Sequence, residues 1–233
     1  MFHAATPTSV AAFLLICVGV LTAFLCGIWT SARRDGADPV RRTARAAFAA
    51  AAWLALLLLA VASGWVARGP RHVMVLASGI IAVSLAIGLS RVGRWLSGCP
   101  MAWLVGFQAF RLPLELVLHA WAGQGVIPET MTWTGANWDI VSGVTALVLA
   151  PMARRSTRAA WVANVVGFVL LANVLRVAVM SSPLPFAWPV VPRLELILHV
   201  PYALIVPVCV GGALLGHLAL TRALLRSRSA QHR

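Results

Sequence analysis

The chain has 233 residues, of which 61% are hydrophobic and 11% are charged. Soluble domains are about 45–50% apolar and about 25% charged, so a soluble fold of this size could not bury so much apolar surface. The same composition excludes a disordered chain, a coiled coil, collagen and a secreted disulfide scaffold. The sequence therefore predicts an integral membrane protein.

All 19 basic residues are arginine, and six acidic residues leave a net charge of +13. Without lysine the chain can form no Schiff base and carries no P-loop. The arginines cluster between apolar runs, which favours a membrane protein over a nucleic-acid-binding one. The four cysteines form no C-x-x-C pair and are interpreted as small apolar residues.

A spanning helix needs about 20 mainly apolar residues, and seven segments are candidates. The first is interpreted as a retained helix rather than a signal peptide, because no Arg or Lys precedes it and no A-x-A cleavage site follows. In the last segment, Pro201 and Pro207 predict a kink. The predicted fold is all-α, one integral membrane domain over 1–233 with helices at 10–29, 46–67, 73–90, 101–123, 138–153, 160–180 and 194–221.

The arginines also predict the orientation of the chain. With the N-terminus outside, fourteen arginines lie in cytoplasmic segments and three in outer segments, a strong positive-inside bias. This predicts seven crossings with the C-terminus in the cytoplasm, and heavy use of Ala and Arg favours a bacterial inner membrane. The cytoplasmic arginines are Arg33, Arg34, Arg41, Arg42, Arg45, Arg91, Arg94, Arg154, Arg155, Arg158, Arg222, Arg226, Arg228 and Arg233.

The fourth predicted helix carries an unusual polar face. Gln108, Arg111, Glu115 and His119 lie within about 80° of one another on a helical wheel. Arg111 and Glu115 are separated by four residues, so the sequence predicts that they pair directly. Arg111 lies about 18 Å from the outer end of this helix, where a charge costs about 2.5–3.5 kcal/mol. Two interpretations stay open: a ligand-binding or proton-carrying pair, and an ion pair that fixes helix packing.

Further polar residues gather at the predicted outer ends of the helices. Asn137 and Asp139 open the fifth helix after an outer loop, 124–138, and Asn173 and Arg176 lie toward the outer end of the sixth. A second outer loop covers 181–192. The first loop, with Asn137 and Asp139, is predicted to shape the mouth of a pocket.

Two histidines lie at similar predicted depths. His119 is near the outer end of the fourth helix, and Glu195 and His199 are four residues apart near the outer end of the seventh. Two histidines on different helices are a minimal pattern for haem or a metal, but an ordinary interfacial or hydrogen-bonded histidine is the favoured interpretation of each. His217 is expected near the cytoplasmic end as a snorkelling or capping residue.

An ordered set of short motifs runs through the second half of the chain. It contains Phe110-Arg111-Leu112-Pro113-Leu114-Glu115, then Met131-Thr132 and Gly135-Ala136-Asn137-Trp138-Asp139-Ile140, then Asn173 and Ser181-Ser182-Pro183-Leu184-Pro185-Phe186. This pattern resembles an uncharacterised family of small bacterial polytopic membrane proteins over 107–222. The resemblance implies no activity. It favours five positions, which are Arg111, Glu115, Asn137, Asp139 and Asn173.

The sequence thus predicts a membrane protein with an outward-facing polar pocket around Arg111 and Glu115, transport-like or binding a small polar or anionic ligand. The first alternative is a haem- or metal-binding redox protein that uses His119 and His199. The second is a structural or assembly subunit. No G-x-S-x-G elbow or other catalytic motif is present, so an enzyme is less favoured, and no cofactor is expected beyond the haem or metal alternative. The expected partners are the lipid bilayer and a small ligand, without nucleic acid, and the oligomeric state stays open.

Overall fold

A computed structural model describes residues 2–231, and over that range the protein is all-helical without strands. The α-helices are α1 (Pro7–Arg34), α2 (Pro39–Ala62), α3 (Pro70–Leu89), α4 (Arg91–Leu96), α5 (Met101–Phe107), α6 (Arg111–Gly123), α7 (Ile140–Met152), α8 (Thr157–Ser181) and α9 (Gly211–Gln231). A 3₁₀ turn, Gln108–Phe110, joins α5 to α6, and a π-helical segment, Ile205–Val210, leads into α9. The all-α prediction is confirmed; Arg233 lies outside the described residues.

Six segments of the described chain are long and apolar enough to cross a membrane. They are Pro7–Arg34, Pro39–Ala62, Pro70–Leu89, Met101–Gly123, Thr157–Ser181 and Tyr202–Ser227. These agree with six of the seven predicted segments and make the chain a multi-pass membrane protein. The remaining segment, α7, has 13 residues, or about 20 Å of helix, which is shorter than the roughly 30 Å hydrocarbon core.

Proline decides several helix boundaries. Helices α1, α2 and α3 each begin at a proline, whose fixed φ and missing N–H suit the first helical position. For α2 the side chain of Asp38 also accepts hydrogen bonds from the backbone of Val40 and Arg41. Helix α2 therefore starts seven residues before the predicted 46–67 segment.

The prediction of one helix over 194–221 is wrong at its beginning. Residues 194–201 hold only a 3₁₀ turn, Leu196–Leu198, and His199 is extended. Pro201 and Pro207 have no N–H to donate within a helix, so helical structure starts at Tyr202 and passes through the π segment around Pro207. Glu195 and His199 consequently do not share a helix.

The bundle has two ends with different chemistry. The loop end contains the N-terminal residues and the segments 124–139 and 182–201, since Thr6 N donates to Gln124 Oε1 at 2.8 Å and Ala5 N donates to Tyr202 Oη at 2.9 Å. The arginine end contains the connections 35–38, 90–100 and 153–156. Apolar clusters fill both ends: one around Phe13, Trp121 and Val177, the other around Ile28, Leu104 and Leu220.

The irregular segment 124–139 connects α6 to the short α7. It begins at Gly125, whose φ of 71° turns the chain after α6, and several of its side chains are buried inside the bundle. Irregular backbone at membrane depth is tolerated only where protein buries and satisfies it. The buried members are Val126, Ile127, Pro128, Met131, Thr132, Asn137 and Asp139.

Helices α6 and α7 approach each other through a glycine. A Cβ on Gly143 would lie 2.5 Å from the backbone nitrogen of Leu112, so only glycine allows this spacing. Gly143→Ala must therefore push the two helices apart, and we expect a loss of about 1–3 kcal/mol in the free energy of unfolding, as for other overpacked sites.

Unfolding in detergent, followed by circular dichroism, measures this loss. The matched control is Gly19→Ala, because a Cβ on Gly19 would meet nothing within 4 Å. Equal stability of the two variants would contradict the close α6–α7 contact.

Candidate functional site

Arg111 is the centre of a buried polar site between the two apolar clusters. It is the first residue of α6 and is 1% exposed. Its Nε donates to Asp139 Oδ2 at 2.6 Å, and its Nη1 donates to Ser142 Oγ at 2.6 Å and to the carbonyl of Gly167 at 3.2 Å. The guanidinium thus ties α6 to the start of α7 and to α8.

The ion-pair partner of Arg111 is Asp139, not Glu115 as predicted from the helical spacing. Asp139 lies at the N-terminal end of α7, and the close α6–α7 contact brings its carboxylate to the guanidinium. Glu115 lies one turn farther along α6. Arg111 still interacts electrostatically with both carboxylates, so all three groups form one charged cluster.

Asn137 connects the two acidic residues of the cluster. Its Nδ2 donates to Glu115 Oε1 at 2.9 Å and to the carbonyl of Met131 at 3.0 Å, while its Oδ1 accepts from the backbone N–H of Asp139 at 3.2 Å. Asn137 has no exposed surface and Glu115 is 1% exposed. The predicted residues Arg111, Glu115, Asn137 and Asp139 therefore lie together, but they are buried rather than lining an open outward-facing pocket.

His217 joins this site from α9. Its Nε2 lies 3.2 Å from Arg111 Nη1, and its Nδ1 lies 3.0 Å from Asn164 Oδ1. An arginine can only donate hydrogen bonds, so Nε2 must accept and the ring proton must be on Nδ1. Asn164 Nδ2 then donates to Thr221 Oγ1 at 2.8 Å. The imidazole in this arrangement is neutral, and the expectation of a snorkelling or capping His217 is wrong, because the ring is 1% exposed.

Several polar atoms of the site have no hydrogen-bond partner among the described residues. Buried polar atoms in native proteins are nearly always satisfied, so four such atoms around Arg111 set this part of the bundle apart from the apolar clusters. The atoms are Gln108 Oε1, Arg111 Nη2, Glu115 Oε2 and Asp139 Oδ1.

Of the remaining candidates, Gln108 lies nearest the site. It is 3% exposed, and its Nε2 donates to the carbonyl of Ala213 at 3.1 Å, which attaches α9 to the α5–α6 junction. This junction is a 3₁₀ turn where the sequence predicted continuous helix, because Pro113 has no N–H for the carbonyl of Ala109.

Asn173 and Arg176 support the loop end instead. Asn173 Nδ2 donates to the carbonyl of Ala136 at 2.8 Å, which holds the segment next to Asn137. The exposed Arg176 donates to Asn173 Oδ1 at 2.9 Å, and its guanidinium lies 5.5 Å from the ring centroid of Trp188. Asn173 therefore positions the site through the loop backbone.

The two histidines of the haem or metal alternative have separate partners. His119 is exposed and stacks on Trp133 with ring centroids 4.2 Å apart. His199 stacks on Phe2 at 3.8 Å and lies 3.8 Å from a carboxylate oxygen of Glu195. Among the described residues, no group of three or more His, Cys, Asp or Glu side chains could hold a metal ion.

Sequence reasoning missed Ser142, Asn164, Gly167 and His217. For two of them the sequence does contain a signal. Asn164 and His217 are polar residues inside apolar runs, and such residues face the bundle interior. What the sequence could not supply was their proximity to Arg111, which lies 106 positions from His217.

No protein-family model matches this chain, and neither a curated protein nor a solved structure is significantly similar to it. The proposals below therefore depend on the geometry of the site.

The ion-pair assignment can be tested by paired substitutions. Arg111→Met leaves Asp139 as an unpaired buried charge and should reduce the free energy of unfolding by about 3–5 kcal/mol. Adding Asp139→Leu removes that charge and should restore most of the loss, because an apolar pair often replaces a buried ion pair at little cost.

The comparison variant combines Arg111→Met with Glu115→Leu and leaves Asp139 unpaired. Denaturant unfolding of the three variants measures the difference. Greater rescue by Glu115→Leu than by Asp139→Leu would show that Arg111 depends on Glu115.

Proposed function

We propose that the chain is a bacterial inner-membrane protein that binds a small polar or anionic ligand, or carries a proton, in the site around Arg111. In this proposal it crosses the membrane seven times, with the loop end outside and the arginine end in the cytoplasm. The segment 124–139 with α7 forms the fifth crossing. The transport-like function depends on access to the site from the loop end.

The observation that carries this proposal is the charge of the buried cluster. Arg111 contributes one positive charge, and ionised Asp139 and Glu115 contribute two negative charges. The side chains that hydrogen-bond to them are neutral: Ser142, His217 and Asn137. One negative charge is therefore in excess, and an uncompensated charge at this depth is costly.

A single proton on Glu115 removes this excess. Asp139 is held as the carboxylate by the Arg111 Nε–H at 2.6 Å. Glu115 accepts only the neutral Asn137 amide, and its Oε2 has no partner among the described residues. Glu115 is thus the group that binds and releases the proton, and Asp139 is the counter-ion of Arg111.

Ligand entry in this proposal comes through the segment 124–139. Asn137 contacts Glu115 directly, and Asn173 supports the adjoining backbone. Movement of this segment would open a path to Glu115 and Asp139, whose free oxygens, with Arg111 Nη2, offer both acceptors and a donor.

One observation favours a structural or assembly role instead. The hydrogen bonds of Arg111 connect α6, α7, α8 and α9, as a residue that only fixes packing would do. In that case Glu115 keeps its proton at every pH at which the protein is folded. The redox alternative stays a prediction that requires a bound haem or metal at His119 or His199.

Infrared difference spectroscopy in lipid nanodiscs tests the proton-carrying role. We expect the carbonyl stretch of a protonated carboxyl to disappear as pH is raised, because Glu115 releases its proton. Glu115→Gln should lack this band and remain folded, since the amide oxygen can still accept from Asn137.

The matched control is Glu129→Gln at an exposed acidic residue of the same loop, which should keep the band. A band that does not change with pH would favour the structural role. A spectrum without any contribution from Glu115 would overturn the proposal.

The orientation is tested by cysteine labelling in intact cells, after the four native cysteines are replaced by alanine. Thr134 and Arg155 are both exposed and lie at the loop end and the arginine end, respectively. A membrane-impermeant maleimide should label Thr134→Cys before lysis and Arg155→Cys only after lysis. The reverse pattern would invert the topology.

A further inference from the structure

The buried site contains a second ionisable group that the proposed function does not use. His217 contacts Nη1 of Arg111, whereas Glu115 is connected through Asn137 to the backbone of Asp139. From His217 the hydrogen bonds continue through Asn164 to Thr221, one turn nearer the arginine end of α9.

Arg111 Nη1 has more acceptors within hydrogen-bond distance than it has hydrogens. Nη1 carries two hydrogens but faces three acceptors: Ser142 Oγ at 2.6 Å, the Gly167 carbonyl at 3.2 Å and His217 Nε2 at 3.2 Å. Arg111 can therefore release His217 and keep its hydrogen bonds to Ser142 and Gly167. Release exposes the Nε2 lone pair to a proton.

We propose that the single proton that neutralises the cluster has two alternative positions, the carboxyl group of Glu115 and Nε2 of His217. This inference rests on the proposed function, because it takes Glu115 as the proton-carrying group. When the proton is on Glu115, His217 is neutral and its Nε2 accepts from Arg111. When the proton is on Nε2 of His217, the ring is an imidazolium and Glu115 is ionised.

The charge and proton count are the same in both arrangements. In the first, Arg111 balances Asp139, and Glu115 and His217 are neutral. In the second, Arg111 and His217 carry two positive charges, and Asp139 and Glu115 carry two negative charges. The step breaks the O–H bond of Glu115 and forms an N–H bond at His217 Nε2, without any oxidant or reductant.

Arg111 is the charged group in contact with His217, and its positive charge opposes an imidazolium unless both carboxylates of the cluster are ionised. From α6 it faces Arg111, behind which lie Asp139 and Glu115. From α8 it faces uncharged groups: Asn164, Gly167 and Phe168, whose ring centroid lies 4.9 Å away. A Cβ on Gly167 would overlap the imidazole, so the glycine provides the space for the ring.

The other neighbours of His217 carry no charge toward the ring. On the α3 side, the next residue of α9, Leu218, packs against Gly88. Arg222, in the following turn of α9, donates to the carbonyls of Gly88 and Ser90 at the arginine end. Gln108 at the end of α5 is uncharged and donates to the carbonyl of Ala213 on α9, so Arg111 is the charged group in direct contact with His217.

The two positions of the proton connect to different parts of the hydrogen-bond network. Glu115 is connected to the segment 124–139 at the loop end, and His217 is connected to Asn164 and Thr221 toward the arginine end. A proton that enters at one position can thus leave from the other, which is what coupling to transport needs.

Nitrogen-15 NMR of histidine-labelled protein in nanodiscs tests the proposal. The chain has six histidines, and loss of a signal in His217→Gln assigns His217. Over the pH range in which the Glu115 carboxyl band disappears, we expect part of His217 to be imidazolium. As the pH is raised, this imidazolium signal should vanish together with the carboxyl band.

Two substitutions each remove one negative charge from the cluster, so that no proton is needed to neutralise it. In Glu115→Gln, and separately in Asp139→Asn, Arg111 and one remaining carboxylate balance each other, so the imidazolium signal should be lost over the same pH range. Glu129→Gln, the matched control, should keep it. The second variant preserves the test if one of the two fails to fold.

Two results would overturn the inference. The first is a His217 that stays the neutral Nδ1–H tautomer throughout the wild-type titration, and the second is an imidazolium signal that persists unchanged in both charge-removing variants. If Glu115 titrates while His217 does not, only the two-position inference fails. If Glu115 itself has no titrating carboxyl band, the proposed function fails with it.

Discussion

The ion pair between Arg111 and Asp139 is the interaction on which the arrangement of the second half of the chain depends. A guanidinium at this depth needs a carboxylate and further acceptors, and it obtains them from α7 and α8. Those helices can come close enough only because small residues face them, with Gly143 against α6 and Gly167 beneath the His217 ring. Packing and charge therefore constrain each other here.

The same constraint explains why α7 is short. Asn137 and Asp139 hydrogen-bond within the cluster through their side chains and through the backbone N–H of Asp139. In a regular helix that N–H would instead donate to a carbonyl of the same helix. Irregular chain therefore occupies most of the segment that precedes α7. Hydrogen bonds from Asn137 to the Met131 carbonyl and from Asn173 to the Ala136 carbonyl satisfy this backbone where water is excluded.

Hydropathy and residue spacing predicted the helical architecture and singled out Arg111, Glu115, Asn137 and Asp139, which the structure buries together, because charged residues at membrane depth must face inward. They did not predict which carboxylate pairs with Arg111. Spacing within one helix favours Glu115, while the observed partner depends on how closely two helices pack. Likewise, His217 reaches the site only through the placement of α9, which no local pattern encodes.

The arginine end has a consequence for the order in which the protein assembles. Arg222 and Arg226 of α9 donate to the carbonyls of Gly88, Ser90 and Ser97, which end α3 and form the α4 connection more than 120 residues earlier in the chain. During synthesis these carbonyls emerge long before their donors. These hydrogen bonds between α9 and the connection from α3 to α5 can therefore form only after the C-terminal helix has been made.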